Sequence, residues 1–239
     1  QAEEKVKVLC LGRRLGKSRA SLWELILAYL EALKKPAPLS LTPPFHAWVV
    51  CPSYPQSRQT WNELLTFFPP ELIQPGGIHQ DEQFIYLKGT NERAWGLLEV
   101  KSAAVPESLQ TVGLDFLWIQ EAQDVSDLAF EKLLPTLRSA DRMGKAVLEG
   151  IPPTHSDHWF YRMITMAERG SPGYFYLHGT SFENPHLDEA MLAEIENDRE
   201  VLPERVWRRM YLAEFQESAG YFQNIDACVA GDLLPAPLP

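Results

Sequence analysis

Short apolar runs alternate with longer amphipathic stretches along most of this chain. The apolar runs have strand-like length and lie at residues 5–11, 47–51, 84–88, 97–102, 114–119, 146–150 and 174–178. Apolar side chains recur at the three- and four-residue spacing of helices in residues 18–34, 57–68, 127–137 and 156–169. Strands that alternate with helices predict an α/β fold with a largely parallel central sheet flanked by helices.

The pattern changes after the turn at residues 184–186. Residues 187–200 and 203–215 have the spacing of two charged, amphipathic helices, and no strand lies between them. We expect a core at residues 1–183, followed at residues 184–239 by a small helical lid subdomain and a linker. An equally good interpretation is that these two helices simply pack on the core.

A glycine-rich loop joins the first predicted strand to the first predicted helix. Its residues are Gly12, Arg13, Arg14, Leu15, Gly16, Lys17 and Ser18. Such a turn aims backbone N–H groups and a helix N-terminus at one point, where a phosphate can bind. Lys17 would then reach the β- and γ-phosphates of a nucleoside triphosphate, and the Ser18 hydroxyl would hold Mg²⁺.

The usual phosphate-loop pattern fails by one residue, because Leu11 stands where that pattern has glycine. The alternative interpretation is a glycine-rich turn with a solvated lysine. The flanking strand and helix favour the phosphate loop.

Composition limits the remaining possibilities. The 239 residues are 45% hydrophobic and 23% charged, which is typical of a soluble globular protein. The formal net charge of −10 excludes a general basic field, so any DNA contact needs a local patch. Cys10, Cys51 and Cys228 lack metal-ligand spacing and indicate reduced thiols. Because no apolar stretch approaches the ~18 residues of a membrane span, we expect a soluble, intracellular protein.

A carboxylate follows the apolar run at residues 114–119. Glu121 should emerge at the carboxyl edge of the sheet, beside the phosphate loop, where it could orient an attacking water. An acid after a buried strand is common when taken alone. Together with the phosphate loop, it predicts nucleotide hydrolysis.

Residues 9–18, 48–54 and 114–123 resemble, in order and spacing, the ATPase domain of the large terminase subunit of tailed bacteriophages. Residues 135–137, 158–161 and 208–215 resemble later segments of that family. The resemblance implies a P-loop NTPase of the additional-strand, RecA-like class. It also implies an ATP-driven motor that moves double-stranded DNA into the procapsid.

The same resemblance implies partners and a location. The motor would dock on the portal protein, work with the small terminase subunit and form a ring-shaped homo-oligomer on the capsid. It would be a monomer when isolated, would have no membrane contact and would work in the host cell cytoplasm.

The resemblance also assigns catalytic roles. Glu121 would be the catalytic carboxylate, and Arg13 would be an arginine sensor or finger within the same subunit. An arginine reaching the neighbouring subunit's ATP is expected after residues 135–137, with Arg142 as the first choice and Arg138 as the second. For Arg13, an ordinary ion pair is the alternative interpretation.

Further residues are expected at the nucleotide. Arg19 follows the loop directly, and Tyr54 and Gln56 stand in a family segment near the nucleotide. Ser18 and Gln120 are the expected Mg²⁺ residues.

The chain departs from the family at three positions. Gln120 stands where many members have Asp, Gln110 stands where some have Arg, and Glu149 lies where a Ser/Thr-rich coupling turn is usual. Glu149 could substitute for that turn or could be structural. These departures are expected to affect the efficiency of hydrolysis more than nucleotide binding. A helicase-like translocase and a nucleotide-gated assembly module with little turnover remain alternatives.

The family's acidic nuclease cluster is not found, so no nuclease activity is expected.

Overall fold

The computed structural model describes most of the chain. The described residues are 4–34, 43–89, 94–109, 112–139 and 142–216. Gln110, Cys228 and the expected linker beyond residue 216 lie outside these ranges. In the described part of the chain, no helix has both the length and the apolar character of a membrane span.

The described residues form ten strands and six α-helices. The strands are β1 (Val6–Leu11), β2 (Phe45–Cys51), β3 (Ile73–His79), β4 (Phe84–Lys88), β5 (Ala94–Ser102), β6 (Phe116–Ile119), β7 (Arg138–Ser139), β8 (Arg142–Met143), β9 (Lys145–Gly150) and β10 (Tyr174–Gly179). The helices are α1 (Lys17–Leu33), α2 (Tyr54–Phe67), α3 (Asp127–Leu133), α4 (Trp159–Glu168), α5 (Glu189–Val201) and α6 (Glu204–Tyr211).

Eight of these strands form one sheet in the order β10-β1-β9-β6-β2-β5-β4-β3. The six strands from β10 to β5 pair in parallel, and β4 and β3 extend the sheet in antiparallel fashion. The predicted α/β fold with a largely parallel sheet is confirmed. Because the carboxyl ends of β1, β2, β6 and β9 meet at one edge, the loops that follow them lie together.

Both faces of the inner strands of the sheet are buried. All seven residues of β2 are buried, because helices cover both sides of this central strand. Trp48 and Val50 face a cluster that contains α3 and α4, whereas Val49 faces the opposite cluster, which contains α1 and α2. The continuous apolar runs of the sequence therefore mark the inner strands of the sheet.

Strand β3 was not predicted from the apolar pattern. Its sequence contains Pro75, Gly76 and Gly77, which are typical of loops. The strand lies at the sheet edge, where a proline does not remove a ladder hydrogen bond. The His79 ring stacks on Phe84 of β4 with 4.1 Å between centroids and helps to hold the edge hairpin together.

Helices α5 and α6 pack on each other to form a small core of their own. Trp207 Nε1 donates a hydrogen bond to the Ile195 carbonyl oxygen at 2.8 Å, and Tyr211 completes the cluster. The pair also contacts the loop after β1, because the Arg13 amide donates to the Met210 carbonyl at 2.9 Å. We call this helix pair the lid. The domain boundary at residue 184 remains a prediction.

Candidate active site

The loop after β1 is a tight turn that requires glycine at two positions. A Cβ atom on Gly12 would lie 2.5 Å from the Tyr211 carbonyl oxygen and 2.6 Å from the Ser181 amide nitrogen. Gly16 has φ +92, a left-handed conformation that side chains disfavour, and α1 begins directly after it. The loop is therefore pinned at one end by the lid and at the other by the start of a helix.

The buried side chain of Lys17 bridges this loop. Its Nζ donates to the carbonyl oxygens of Leu11 at 3.2 Å and Gly12 at 3.4 Å. Arg13 and Arg14 are exposed on the same turn. The loop thus gathers three cations around backbone N–H groups, an arrangement suited to a polyphosphate.

A cleft of about 580 Å³ opens beside the loop, which is an ordinary size for a small-molecule site. Its polar and charged lining residues are Arg13, Arg14, Lys17, Ser18, Arg19, Gln56, Thr60, Glu63, Glu121 and Asp124. Leu22, Leu64, Phe67, Trp118 and Tyr211 form its apolar walls. Most of the residues predicted from the sequence therefore lie in one cleft, at the carboxyl edge of the sheet.

Glu121 is separated from the end of β6 by Gln120 alone, and its backbone has a left-handed φ of 47°. Gln123 donates from Nε2 to Glu121 Oε2 at 2.7 Å, and its Oε1 accepts from the Ile151 amide at 3.2 Å. A Cβ atom on Gly150 would lie 2.3 Å from Gln123 Oε1, so only glycine leaves room for this contact. Gln123 was missed in the sequence, because a glutamine two residues after an acid carries no distinctive signal.

Gln120 contacts the predicted metal residue Ser18. Its Nε2 donates to Ser18 Oγ at 3.2 Å. Its Oε1 accepts hydrogen bonds from Cys51 Sγ, at 3.3 Å, and from the Thr60 hydroxyl. Gln120 therefore points its N–H group, and not its oxygen, at Ser18.

Glu149, at the end of β9, is fully buried behind the loop. Its Oε1 accepts from Ser18 Oγ at 2.9 Å, and its Oε2 accepts from Ser21 Oγ. Burial raises the pKa of Glu149 to about 7, against the hydrogen bonds from the two serines and the charge of Lys17, which lower it. The sequence left the role of Glu149 open, and the structure places it against Ser18.

Arg209 of α6 reaches the core from the lid. Its Nη1 donates to the carbonyl of Pro152, which follows β9, at 3.3 Å. Desolvation lowers the pKa of Arg209, whereas the nearby Asp124 raises it. Asp124 has a raised pKa, because it is desolvated and lies near Glu121. The sequence alone could not place this lid arginine near the cleft, because helical spacing does not say what a helix faces.

Three predicted residues are placed differently from the rest. Tyr54 is exposed in the first turn of α2, outside the lining of the cleft. Arg19 lines the cleft, but its guanidinium lies over the Phe67 ring, 3.2 Å from the centroid. Arg142 is buried and forms an ion pair with Asp115.

The placement of Arg142 matters for its predicted role toward a neighbouring subunit. Its guanidinium also donates to the carbonyls of Pro43 and Pro44. Arg142 would have to break this buried ion pair to reach another subunit, so its role toward a neighbour stays a prediction. The second choice, Arg138, is exposed and needs no such rearrangement.

The side chains around the predicted Mg²⁺ site can be compared with the ligands that Mg²⁺ prefers. Within the described ranges, no group of three or more His, Cys, Asp or Glu side chains could hold a metal ion. Ser18 Oγ, with the Glu149 carboxylate behind it, offers the hard oxygen chemistry that Mg²⁺ prefers when phosphates complete its shell.

The first strand of this mostly parallel sheet leads into the glycine-rich loop, and Glu121 follows β6, which is separated from β1 by β9 alone. This combination is the arrangement of a P-loop domain of the RecA-like type. The chain belongs to the phage terminase large subunit family, whose sequence model matches residues 77–214. The resemblance seen in the sequence is thereby confirmed.

Individual relatives agree with this assignment. The terminase large subunit of Thermus virus P23-45 is 26% identical over 97% of this chain and 50% of its own length. The ATPase domain of the Thermus phage P74-26 large terminase matches with a TM-score of 0.67 and 23% identity, over 90% of each chain. The large terminase of a thermophilic bacteriophage in complex with ATP-gamma-S matches with a TM-score of 0.61 and 13% identity, over 89% of this chain and 48% of that one. The chain spans about half the length of the curated relatives it matches.

Proposed function

We propose that this chain is the ATPase motor domain of a DNA-packaging terminase, which hydrolyses ATP with Mg²⁺ to drive double-stranded DNA into the procapsid. The observation that carries the proposal is the convergence of Lys17, Ser18 and Glu121 on one cleft. Membership of the terminase family and the fold of its ATPase domains support the same assignment.

Phosphate binding falls to the loop after β1. Lys17 would exchange its two carbonyl partners for phosphate oxygens, and Arg13 and Arg14 would add positive charge at the mouth of the cleft. Ser18, with Gln120 and Glu149 around it, would hold Mg²⁺. When bound, Mg²⁺ neutralises charge on the β- and γ-phosphates.

Hydrolysis falls to the acid after β6. Glu121, oriented by Gln123, would position a water for in-line attack on the γ-phosphate and accept its proton. Arg13 would stabilise the developing charge from within the subunit. For the arginine that would do so from a neighbouring subunit, we favour Arg138 over Arg142, because Arg138 is exposed. An isolated subunit would then be slow, because it lacks the neighbour's arginine.

The work of the motor would be done in a ring of these chains. The proposed partners are the portal protein, the small terminase subunit and double-stranded DNA, with the host cell cytoplasm as the location. Arg209 connects the lid to the turn after β9, which gives a route by which changes at the nucleotide could move the lid.

The test is a phosphate-release assay with and without Mg²⁺. We expect slow, Mg²⁺-dependent ATP hydrolysis that Lys17→Ala and Glu121→Ala both abolish. Lys17→Ala should also lose nucleotide affinity, whereas Glu121→Ala should retain it. The exposed residues Lys34 and Glu131 provide matched controls, and Lys34→Ala and Glu131→Ala should hydrolyse ATP like the wild type. Unchanged rates in either cleft variant would refute the assignment.

One observation favours a second candidate function, a nucleotide-gated assembly module with little turnover. Gln120 turns an N–H group toward Ser18 and carries no charge, which weakens support for the metal on that side. Such a module would bind ATP with Mg²⁺ and release no phosphate at high protein concentration. The motor would release phosphate, and its rate would rise with protein concentration as rings form.

A further inference from the structure

The hydrogen bonds of Ser18 show which side chains would support a metal ion bound in this cleft. A serine hydroxyl has one proton to donate and two lone pairs. Ser18 donates its proton to Glu149 Oε1 at 2.9 Å, and one lone pair accepts from Gln120 Nε2 at 3.2 Å. One lone pair is left for a cation. A hydroxyl that binds a cation must direct its proton elsewhere, and Glu149 is the acceptor of that proton.

Gln120 does not provide a competing acceptor. Its Oε1 already accepts from Cys51 and Thr60, so its N–H side faces Ser18. An amide N–H group repels a cation where a carboxylate would attract it. The negative charge next to Ser18 therefore comes from β9 rather than from β6.

The two strands place these side chains side by side. In the parallel register Ile119, the last residue of β6, is level with Leu148 of β9, so Gln120 follows β6 at the level of Glu149. Glu149 also lies level with Leu9 on the other neighbour, β1, two residues before that strand ends. The position of Glu149 is thus fixed by the pairing of β9 with both of its neighbours, β1 and β6.

A purely structural role accounts poorly for an acidic side chain here. Glu149 is completely buried, and a buried carboxylate is costly in free energy even when it accepts two hydroxyl hydrogen bonds. A neutral amide of the same size would satisfy a hydroxyl at less cost. The carboxylate gains a clear purpose once a divalent cation binds in front of Ser18.

We propose that Glu149 is a positioning residue that supplies the negative charge of the Mg²⁺ site, through Ser18, in place of the neutral Gln120. This inference rests on the proposed function, because it concerns the same nucleotide site. It makes two predictions of its own: Mg²⁺ support depends on Glu149, and a carboxylate placed at position 120 can take over from it.

The experiment measures the dissociation constant of a fluorescent ATP analogue in Mg²⁺ and in EDTA. For Glu149→Gln, we expect the gain in affinity from Mg²⁺ to fall by about 10- to 100-fold, with the affinity in EDTA unchanged. The double variant Gln120→Asp with Glu149→Gln should recover most of that gain. The exposed Glu168 is the matched control, and Glu168→Gln should keep the wild-type ratio.

A second readout protects the test against poor folding. Thermal unfolding without ligand reports whether each variant folds, and the further rise in Tm from Mg²⁺ with ADP reports metal support. Glu149→Gln should keep a cooperative transition and lose that rise, and the double variant should regain it. If the single variant folds poorly, the double variant carries the test: a double variant that unfolds cooperatively without the Mg²⁺-dependent rise in Tm overturns the inference.

The outcomes separate this inference from the proposed function. If Glu149→Gln keeps the wild-type Mg²⁺ gain, or the double variant does not restore it, the inference is overturned while the nucleotide site stands. If the wild type binds no nucleotide at all, the proposed function fails and the inference fails with it. A loss of affinity in EDTA equal to the loss in Mg²⁺ would mean that Glu149 only shapes the loop.

Discussion

Gln123 donates a hydrogen bond to Glu121 at 2.7 Å and, through its other amide atom, accepts one from the Ile151 backbone at 3.2 Å. The carboxylate proposed to activate water is therefore tied to the turn that follows β9. Because Glu149 contacts Ser18 from the same strand, β9 contributes to both halves of the site. A shift of this strand end would move the proposed base and the support for the metal together.

The contact between Gln123 and Glu121 leads to the first prediction. Gln123→Ala should lower the kcat of ATP hydrolysis by about 10- to 100-fold, because Glu121 is no longer held in one orientation. The dissociation constant for ATP-gamma-S should change little. Steady-state kinetics and equilibrium binding measure the two effects separately.

Gln59 on α2 provides the control for this variant. It is exposed and pairs only with Glu63 among the described hydrogen bonds, so Gln59→Ala should retain the wild-type kcat. Equal losses of kcat and affinity in Gln123→Ala would instead indicate that the substitution disturbs the whole cleft.

The sequence predicted the central part of the fold well, because inner strands are continuous apolar runs. The runs that became β1, β2, β6 and β9 are buried on both faces, and their boundaries agree within about two residues. The edge strand β3 was missed, because its turn residues are tolerated only where one side of the strand is unpaired.

For the site, the sequence predicted the residues that belong to recognisable motifs and missed those whose roles depend on tertiary contacts. Lys17 and Glu121 follow from motif and strand position. Gln123 and Arg209 do not, because their roles depend on contacts between distant segments. Arg142 was chosen for its position after a motif, and the sequence could not reveal that Asp115 holds it in a buried pair.

The ion pair of Arg142 with Asp115 supports a second prediction, which concerns stability. Arg142→Ala should lower the free energy of unfolding by about 3 kcal/mol, because Asp115 loses its charge partner. Arg138→Ala, at an exposed position, should change it by no more than about 0.5 kcal/mol. Urea denaturation of both variants measures the difference. An unchanged free energy of unfolding in Arg142→Ala would show that this ion pair contributes nothing to stability.

The proposed role of Arg138 toward a neighbouring subunit can be tested in an ATPase assay. If Arg138 acts on a neighbouring subunit, Arg138→Ala should remove the rise of ATPase rate with protein concentration while stability is retained. Nucleotide affinity should be unaffected, because neither Arg138 nor Arg142 lines the cleft of its own subunit.

Gly12 gives a third prediction, because a side chain there would meet backbone atoms of the lid and of the segment before it. Gly12→Ala should cost about 1–3 kcal/mol of stability through overpacking against Tyr211 and Ser181. It should also expose α5 and α6 to limited proteolysis. Gly16→Ala is the contrast: its added Cβ would meet nothing within 4 Å, so it should strain the loop without releasing the lid. Equal cleavage of the lid in both variants would argue against this contact.

The fourth prediction concerns pH and a carboxylate outside the cleft, Glu99 on β5. Its Oε2 lies 2.7 Å from His46 Nε2 and accepts from Trp48 Nε1 at 2.7 Å, while Lys101 donates to Oε1. Burial alone would raise the pKa of Glu99, but these three hydrogen bonds and the charge of Lys101 lower it to about 2.

Because the folded-state pKa of Glu99 lies below its ordinary value of 4.5, the unfolded chain binds the proton more readily. The stabilisation is therefore complete above about pH 4.5 and is lost as the pH falls toward 2. Relative to Glu99→Gln, the wild type should lose about 2 kcal/mol of unfolding free energy between pH 6 and pH 3. Urea denaturation at several pH values measures this, and Glu71→Gln, at an exposed position, should follow the wild-type curve. Parallel curves for the wild type and Glu99→Gln would mean that the charge of Glu99 contributes no stability, and that the cluster at His46, Trp48 and Lys101 is held by packing alone.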